Sequence, residues 1–425
     1  MTSSVSVPSS TRLRPSAWRV LLPIGLGTAL SLMGDTALYA VLPTHVNEAG
    51  VTLASVGILL SANRWIRLLL NGPAGLLYDR WPRRWFFIPA LFIGTLSTAL
   101  YGWTTGFWPL LVGRLLWGVA WSGIWVGGNT IILDVTTPAD RGRWTGLYQL
   151  SFFLGGALGF PVGGLLTDWL GFHPALQVAA VVTGVGALVA LLLLPETHAR
   201  NAPVPDVEPL ASDPPPEAAP RLPPQPSKAV QGTALAAATL LYGTNRFVVA
   251  GVISASLGLV IEAGWGEVRL GRGVVGIATL TGALLGINTL ISMFAAPLAG
   301  HWSDRLRSRW QVVALGLVPG VVGLGLLSTI HPWAIIPGVL LVAVAGGSNQ
   351  SLATTLLGDA TAGDRRGRAM GWMHTFGDLS SAAAPLLVYA VLPWLGLTRI
   401  YLVCAGLLLA LLLWSARRAA GSRLA

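Results

Sequence analysis

The chain has 425 residues, of which 53% are hydrophobic and only 10% charged, with a formal net charge of +10. Soluble domains carry about 25% charged residues, so this composition excludes a mostly water-facing surface. The apolar residues fall in runs of ~18 or more, long enough to cross ~30 Å of hydrocarbon as helix, which argues against a β-barrel. The positive charge forms no nucleic-acid patch, because the arginines are spread over short loops between apolar runs and Lys228 is the only lysine. A single cysteine, Cys404, excludes an intramolecular disulfide or a cysteine metal site.

In chain order, residues 1–18 read as a disordered polar N-terminus without a cleavable signal. Six spans follow within residues 19–194: Arg19–Val41, Leu53–Leu77, Trp85–Gly102, Trp108–Leu133, Thr145–Leu165 and Ala175–Leu194. Residues 195–232, rich in proline, read as an extended linker. Six more spans fill residues 233–415: Ala234–Val260, Val274–Ala299, Gln311–Ile330, Trp333–Leu357, Ala369–Val391 and Arg399–Trp414. Residues 416–425 form a tail.

If the spans alternate, Arg12, Arg14, Arg19, Arg80, Arg83, Arg84, Arg141, Arg143, Arg305, Arg307, Arg309, Arg365, Arg366, Arg368, Arg417 and Arg418 all fall on one face. On the opposite face, loops such as Thr104–Phe107 and Gly171–Pro174 have no arginine or lysine, and the longer loop around Gly271 has only Arg269 and Arg272. By the positive-inside rule the arginine-rich face and both termini are cytoplasmic. The near-exclusive use of arginine over lysine reads as the coding bias of a GC-rich bacterial genome, so the inner (plasma) membrane is the expected location. Trp18, Trp85, Trp108, Trp310, Trp333 and Trp414 stand near span ends, where interfacial belts form.

The two halves repeat. Asn63 to Asp79 and Asn288 to Asp304 are equally spaced, each with a glycine four residues before the aspartate, Gly75 and Gly300, and an arginine after it, Arg80 and Arg305. Asp140-Arg141-Gly142-Arg143 is likewise matched by Asp364-Arg365-Arg366-Gly367-Arg368. The predicted fold is an all-α membrane protein of about twelve transmembrane helices in two six-helix pseudo-symmetric halves, the plan of alternating-access transporters.

Gly75-Leu76-Leu77-Tyr78-Asp79-Arg80-Trp81-Pro82-Arg83-Arg84 resembles the loop 2–3 signature of the major facilitator superfamily, with Pro82 for a usual glycine and Tyr78 for a usually small residue. The resemblance spans the chain apart from its tails and linker. It implies a charge latch on the cytoplasmic face, made by Gly75, Asp79, Arg80, Arg83 and Arg84 with Gly300, Asp304 and Arg305. Arg114-Leu115-Leu116-Trp117-Gly118 resembles a family motif with an embedded arginine. The run from Gly155 through Gly159, Pro161, Gly163 and Gly164 resembles the glycine/proline motif of proton-coupled exporters.

Ionisable residues deep in a span cost ~2.5–3.5 kcal/mol each and need partners or water. Asp35 and Arg114 fall at similar depths, ~12 and ~9 Å from the outer ends of their spans, so they can pair. Asp35 is the candidate protonation site, with Arg114 tuning it; a permanent salt bridge is the alternative. In the resembled family spans one, four, seven and ten line the cavity, which adds Arg246, Tyr242 and Asn245. Spans two and eleven meet there, making Arg64–Asp378, with His374 nearby, the expected pair across the halves. Helical spacing gathers Arg114, Trp117, Gly118, Trp121, Trp125 and Asn129 on one stripe, and Thr28, Ser31, Asp35 and Tyr39 on another; the two could wall a cavity for an amphipathic solute.

The reading is a secondary transporter moving a small organic solute, with proton-coupled efflux first. An importer or symporter for a sugar, organic anion or other nutrient is second, and a membrane enzyme or receptor third. The six histidines show no paired metal-ligand spacing, and no GxSxG elbow or Walker-type loop is present. The expected partners are a small-molecule substrate and the lipid bilayer, with no nucleic acid. No cofactor is expected, with the proton gradient as energy source. The expected state is monomeric.

Overall fold

A computed structural model of the protein describes residues 16–137, 140–197, 228–270, 273–306, 309–361 and 366–421. Residues 1–15, most of the linker, Arg272, Arg307 and Arg365 lie outside the described residues.

The first half is six helices: α1 (Ala17–Val41), α2 (Leu53–Arg80), α3 (Arg84–Trp103), α4 (Phe107–Val135), α5 (Arg141–Leu170) and α6 (Phe172–Leu193). The seventh span is α7 (Lys228–Asn245), a π-helical stretch (Arg246–Ile253) and α8 (Ser254–Gly264) in series. A short hairpin follows, β1 (Val268–Leu270) paired antiparallel with β2 (Gly273–Val275). Then come α9 (Ile277–Arg305), α10 (Arg309–Ser328), α11 (Pro332–Ala360) and α12 (Arg366–Gly421). Eleven of the described helical stretches are long and apolar enough to cross a membrane. The last of these is two spans. Gly396 has φ 67° and ψ 167°, a conformation no helical residue adopts, and an unbroken 56-residue helix would reach ~84 Å. Twelve spans result.

Three sequence boundaries need correction. The linker was expected to run to residue 232, but α7 is already helical from Lys228. The tail was expected from 416, but α12 continues to Gly421. Trp18, assigned to the disordered N-terminus, lies in α1. The hairpin and the π-helical stretch were not anticipated, because a hydropathy run records length and not hydrogen-bond register.

The termini of the helices alternate as the arginine pattern requires. Trp18 at the start of α1 packs edge-on against Trp144 at the start of α5, with ring centroids 5.1 Å apart. Trp310 at the start of α10 meets Trp414 near the end of α12 at 5.5 Å. At the opposite face, Glu48 between α1 and α2 accepts from the Phe172 N–H that starts α6, at 3.0 Å. Large apolar side chains such as Leu69, Val181 and Leu192 are mostly exposed on the outer surface, the pattern of a lipid-facing helix.

Within the first half α1 packs on α5 and α6, and α4 on α2 and α3; in the second half α11 packs on α9 and α10 in the same way. The halves meet along α2–α12 and α5–α9. Small residues allow the close approach, as is usual between membrane helices. On α5, a Cβ at Gly155, Gly159 or Gly163 would lie within 2.7 Å of the backbone of α1 at Ala29, Met33 or Ala37. One step round the helix, Gly164 presses on Ala278 of α9, while Phe160 and Pro161 meet Gly282. The glycine/proline motif therefore holds α5 between its own half and the other.

Candidate functional site

Asp35 of α1 and Arg114 of α4 form the buried ion pair that their depths implied. Arg114 is fully buried and Asp35 nearly so. Arg114 also donates from Nε to the Leu59 carbonyl at 2.9 Å and from Nη2 to the Tyr39 hydroxyl at 3.0 Å. Tyr39 in turn donates to the Leu60 carbonyl at 2.9 Å. Its ring lies between two guanidinium groups, Arg114 at 5.0 Å and Arg64 at 5.3 Å, within cation–π range. The guanidinium of Arg114 thus has three kinds of acceptor, which is what a charge needs to survive in hydrocarbon.

Arg64 does not pair with Asp378, contrary to the sequence expectation. It crosses to the other half and donates from Nη2 to the Ala250 carbonyl at 2.6 Å and from Nη1 to the Ser381 carbonyl. Ala250 lies in the π-helical stretch, and its carbonyl also accepts from the Ser254 hydroxyl at 2.6 Å. Asp378 is instead faced by Arg67 at 3.4 Å and by Arg246 at 3.9 Å. Among the described residues His374 forms no ion pair; its Nδ1 is hydrogen-bonded to the Tyr242 hydroxyl at 3.0 Å. Asn245, beside Arg246, is buried.

The latch residues are not latched. Asp79 and Arg80 are exposed, and among the described residues Asp79 has no ion pair. Arg83 binds Asp134 at the end of α4 in a forked contact, Nε to Oδ2 at 2.8 Å and Nη2 to Oδ1 at 3.3 Å. The backbone N–H groups of Arg83 and Arg84 donate to Glu196 at 2.9 and 3.2 Å, and Arg84 Nη2 to the Leu191 carbonyl at 2.8 Å. In the second half Arg309 takes the corresponding place between Asp304 and Asp359, while Arg305 is exposed. All of these bonds stay within one half. Arg83→Ala should therefore lower stability by about 1–3 kcal/mol, the value of charge-assisted hydrogen bonds, read as a fall in Tm; an unchanged Tm would contradict it.

Pro82, which stands for the family's glycine, sets the corner: Trp81 before it is extended (φ −126°, ψ 161°) and ends α2, as a residue preceding proline must. Tyr78, the other departure, is buried against α4 and donates to the Gly123 carbonyl at 2.9 Å, in space left by Gly127.

The contacts that join the halves are distributed unevenly. Near the outer ends, Gly57 of α2 touches Pro385 and Tyr389 of α12, Gly258 of α8 touches Thr44, and the Thr279 N–H donates to Asp168 at 2.7 Å. Arg64 and Arg67 join them near mid-span. Toward the arginine-rich face, a Cβ added at Gly72 or Gly75 of α2, Gly146 of α5 or Gly371 of α12 would meet no side chain or neighbouring helix within 4 Å among the described residues. These cross-seam contacts lie at the outer ends and at mid-span. Gly300 meets only Ser351 of its own half.

The tryptophan stripe of α4 packs largely on itself and on α5. Trp117, Trp121 and Trp125 stack with centroids 5.8 and 6.0 Å apart, and Phe152 closes on the last two at 5.7 and 5.3 Å. Trp117 and Trp121 are buried within the first half; only Trp125 is half-exposed. Asn129 donates to the Trp125 carbonyl of its own helix at 2.7 Å, and Thr28 is bonded to Tyr148.

Residues 24–280 and 235–423 match the family model for the Major Facilitator Superfamily. The chain belongs to that superfamily. As a member it is a multi-pass membrane transporter of small molecules and not an enzyme. It is 26% identical to the tetracycline resistance protein, class C, of Escherichia coli, over 82% of this chain and 85% of that one. It is 26% identical to the class G protein of Vibrio anguillarum, over 93% and 92%. Among solved structures, a bacterial homolog of the human lysosomal transporter Spinster, inward-facing and occupied, superimposes with a TM-score of 0.73 at 16% identity, covering 93% and 96% of the two chains.

Two residues of these contacts were not singled out from sequence. Asp134 holds Arg83; Asp359 stands at the same offset from it as Asn288 from Asn63, a repeat signal that could have found it. Arg67 is the arginine nearest Asp378.

Proposed function

We propose that this superfamily member is a proton-coupled exporter of a small organic solute, working as a monomer in a bacterial plasma membrane with both termini and the arginine-rich face in the cytoplasm. The observation that carries the reading is the buried Asp35–Arg114 pair, linked through the Tyr39 ring to Arg64, which reaches across to the other half. A proton arriving from outside would neutralise Asp35 and free Arg114 from its charge partner. The balance of contacts around Tyr39, Arg64 and the Ala250 carbonyl would then change, and with it the balance between the two states. The proton gradient supplies the energy, and no bound cofactor is needed. The tetracycline resistance relatives support export.

The test is uptake into everted vesicles with and without a proton gradient, over a solute panel that begins with tetracycline. Gradient-driven uptake by the native protein is expected. Asp35→Asn should lose accumulation against a gradient while keeping solute exchange. Accumulation by Asp35→Asn at the native rate would sink the coupling role. Uptake only into right-side-out vesicles would favour the importer.

A further inference from the structure

Six charged residues lie deep inside the spans: Arg64, Arg67, Arg114 and Arg246, against Asp35 and Asp378. Two of the arginines are accounted for. Arg114 has Asp35, the Leu59 carbonyl and the Tyr39 hydroxyl, and Arg64 has two carbonyls of the opposite half and the Tyr39 face. That leaves one carboxylate, Asp378, for both Arg67 and Arg246.

Its hold on them is loose. The separations of 3.4 and 3.9 Å exceed the ~2.7–2.9 Å of a charge-assisted hydrogen bond. Among the described residues the Nε groups of both arginines are buried without a hydrogen-bond partner. Both side chains also keep accessible surface, 15% for Arg67 and 26% for Arg246, where Arg114 keeps none. The nearby Tyr242–His374 pair is occupied with itself. An unbalanced guanidinium at mid-membrane depth carries a free-energy cost that a bound anion would cancel.

We propose that Arg67 and Arg246 form the anion subsite of the transport chamber, and that the solute is an amphipathic organic acid whose carboxylate bridges the two guanidinium groups in competition with Asp378. Arg67 belongs to the first half and Arg246 to the second, so the anion ties the halves together at their seam. Phe376 of α12, which is exposed and lies against Gly243 three residues before Arg246, is the apolar neighbour for its body. The inference rests on the transporter reading and adds the charge of the solute.

The experiment is equilibrium titration of the purified full-length protein in nanodiscs, without a gradient and at fixed ionic strength. The probes are 2-naphthoate and its neutral isostere 2-naphthamide. The native protein should bind naphthoate at least ~10-fold more tightly than naphthamide. Arg67→Gln and Arg246→Gln should each reduce that ratio toward one, and Asp378→Asn, which removes the competitor, should tighten naphthoate. Should an arginine variant fail to fold, the native ratio and Asp378→Asn still decide. Equal affinity for the two probes, binding of neither, a preference that survives both arginine substitutions, or no gain in Asp378→Asn overturns the proposal. Because no flux is measured, failure here leaves proton-driven export standing, and failure of export in vesicles leaves this binding result readable.

Discussion

Arg114→Leu should abolish solute accumulation and cost about 3–5 kcal/mol of stability, the penalty for removing one member of a buried ion pair. The substitution leaves Asp35 charged in a nearly sealed site and the Leu59 carbonyl and Tyr39 hydroxyl without their donor. The double substitution Asp35→Asn with Arg114→Gln removes both charges and keeps hydrogen-bonding groups, so it should recover most of the lost Tm. It should not recover gradient-driven transport, because nothing at the site then takes up a proton. Thermal unfolding and vesicle transport on the three variants separate the two roles. If the double variant regained accumulation, Asp35 would be a structural partner only.

The second large effect is steric. A Cβ at Gly164 would lie 2.6 Å from the Ala278 carbonyl carbon, with the carbonyl oxygen closer still, and backbone of this kind cannot swing aside. Gly164→Val should wedge α5 from α9 at the outer end. Overpacking of this type costs about 1–3 kcal/mol, which moves a balanced two-state equilibrium by about 5–150-fold. Against a Cys404→Ser background, a cysteine at Thr279 should be labelled several-fold faster by an impermeant maleimide from the outer side, with transport falling in parallel. Gly163→Val is the control. Its neighbour is Ala37 of the same half, so it should lower stability without changing which side is labelled. Equal labelling of the two variants would mean that the seam does not gate access.

The architecture was legible because the membrane imposes it. Span length, the one-sided arginines and the duplicated Asn–Gly–Asp-Arg pattern each follow from hydrocarbon thickness, insertion charge bias and gene-level repetition. The Asp35–Arg114 pair was legible too, since depth from the span ends locates a residue along the membrane normal. What depth does not give is azimuth. Arg64 and Arg67 are less than one turn apart, and only the packed seam shows that Arg64 reaches the Ala250 and Ser381 carbonyls while Arg67 turns to Asp378. The packing of the tryptophan stripe was hidden for a similar reason, since α4 is shared among α2, α3 and α5. Asp79 could not be placed because a latch is a property of one conformational state, and in this one Arg83 is held by Asp134.

Reciprocal access is tested most directly by paired distances across the seam. In nanodiscs, on the Cys404→Ser background, spin labels at Gly75 and Trp372 report the arginine-rich ends of α2 and α12, and labels at Leu170 and Val274 the outer ends of the other seam. Double electron–electron resonance on the native protein and on Asp35→Asn should show opposite changes: whatever population shortens the first distance lengthens the second. Distances that shift together, or one distribution unaltered while the other moves, would contradict a chamber that opens to one side at a time.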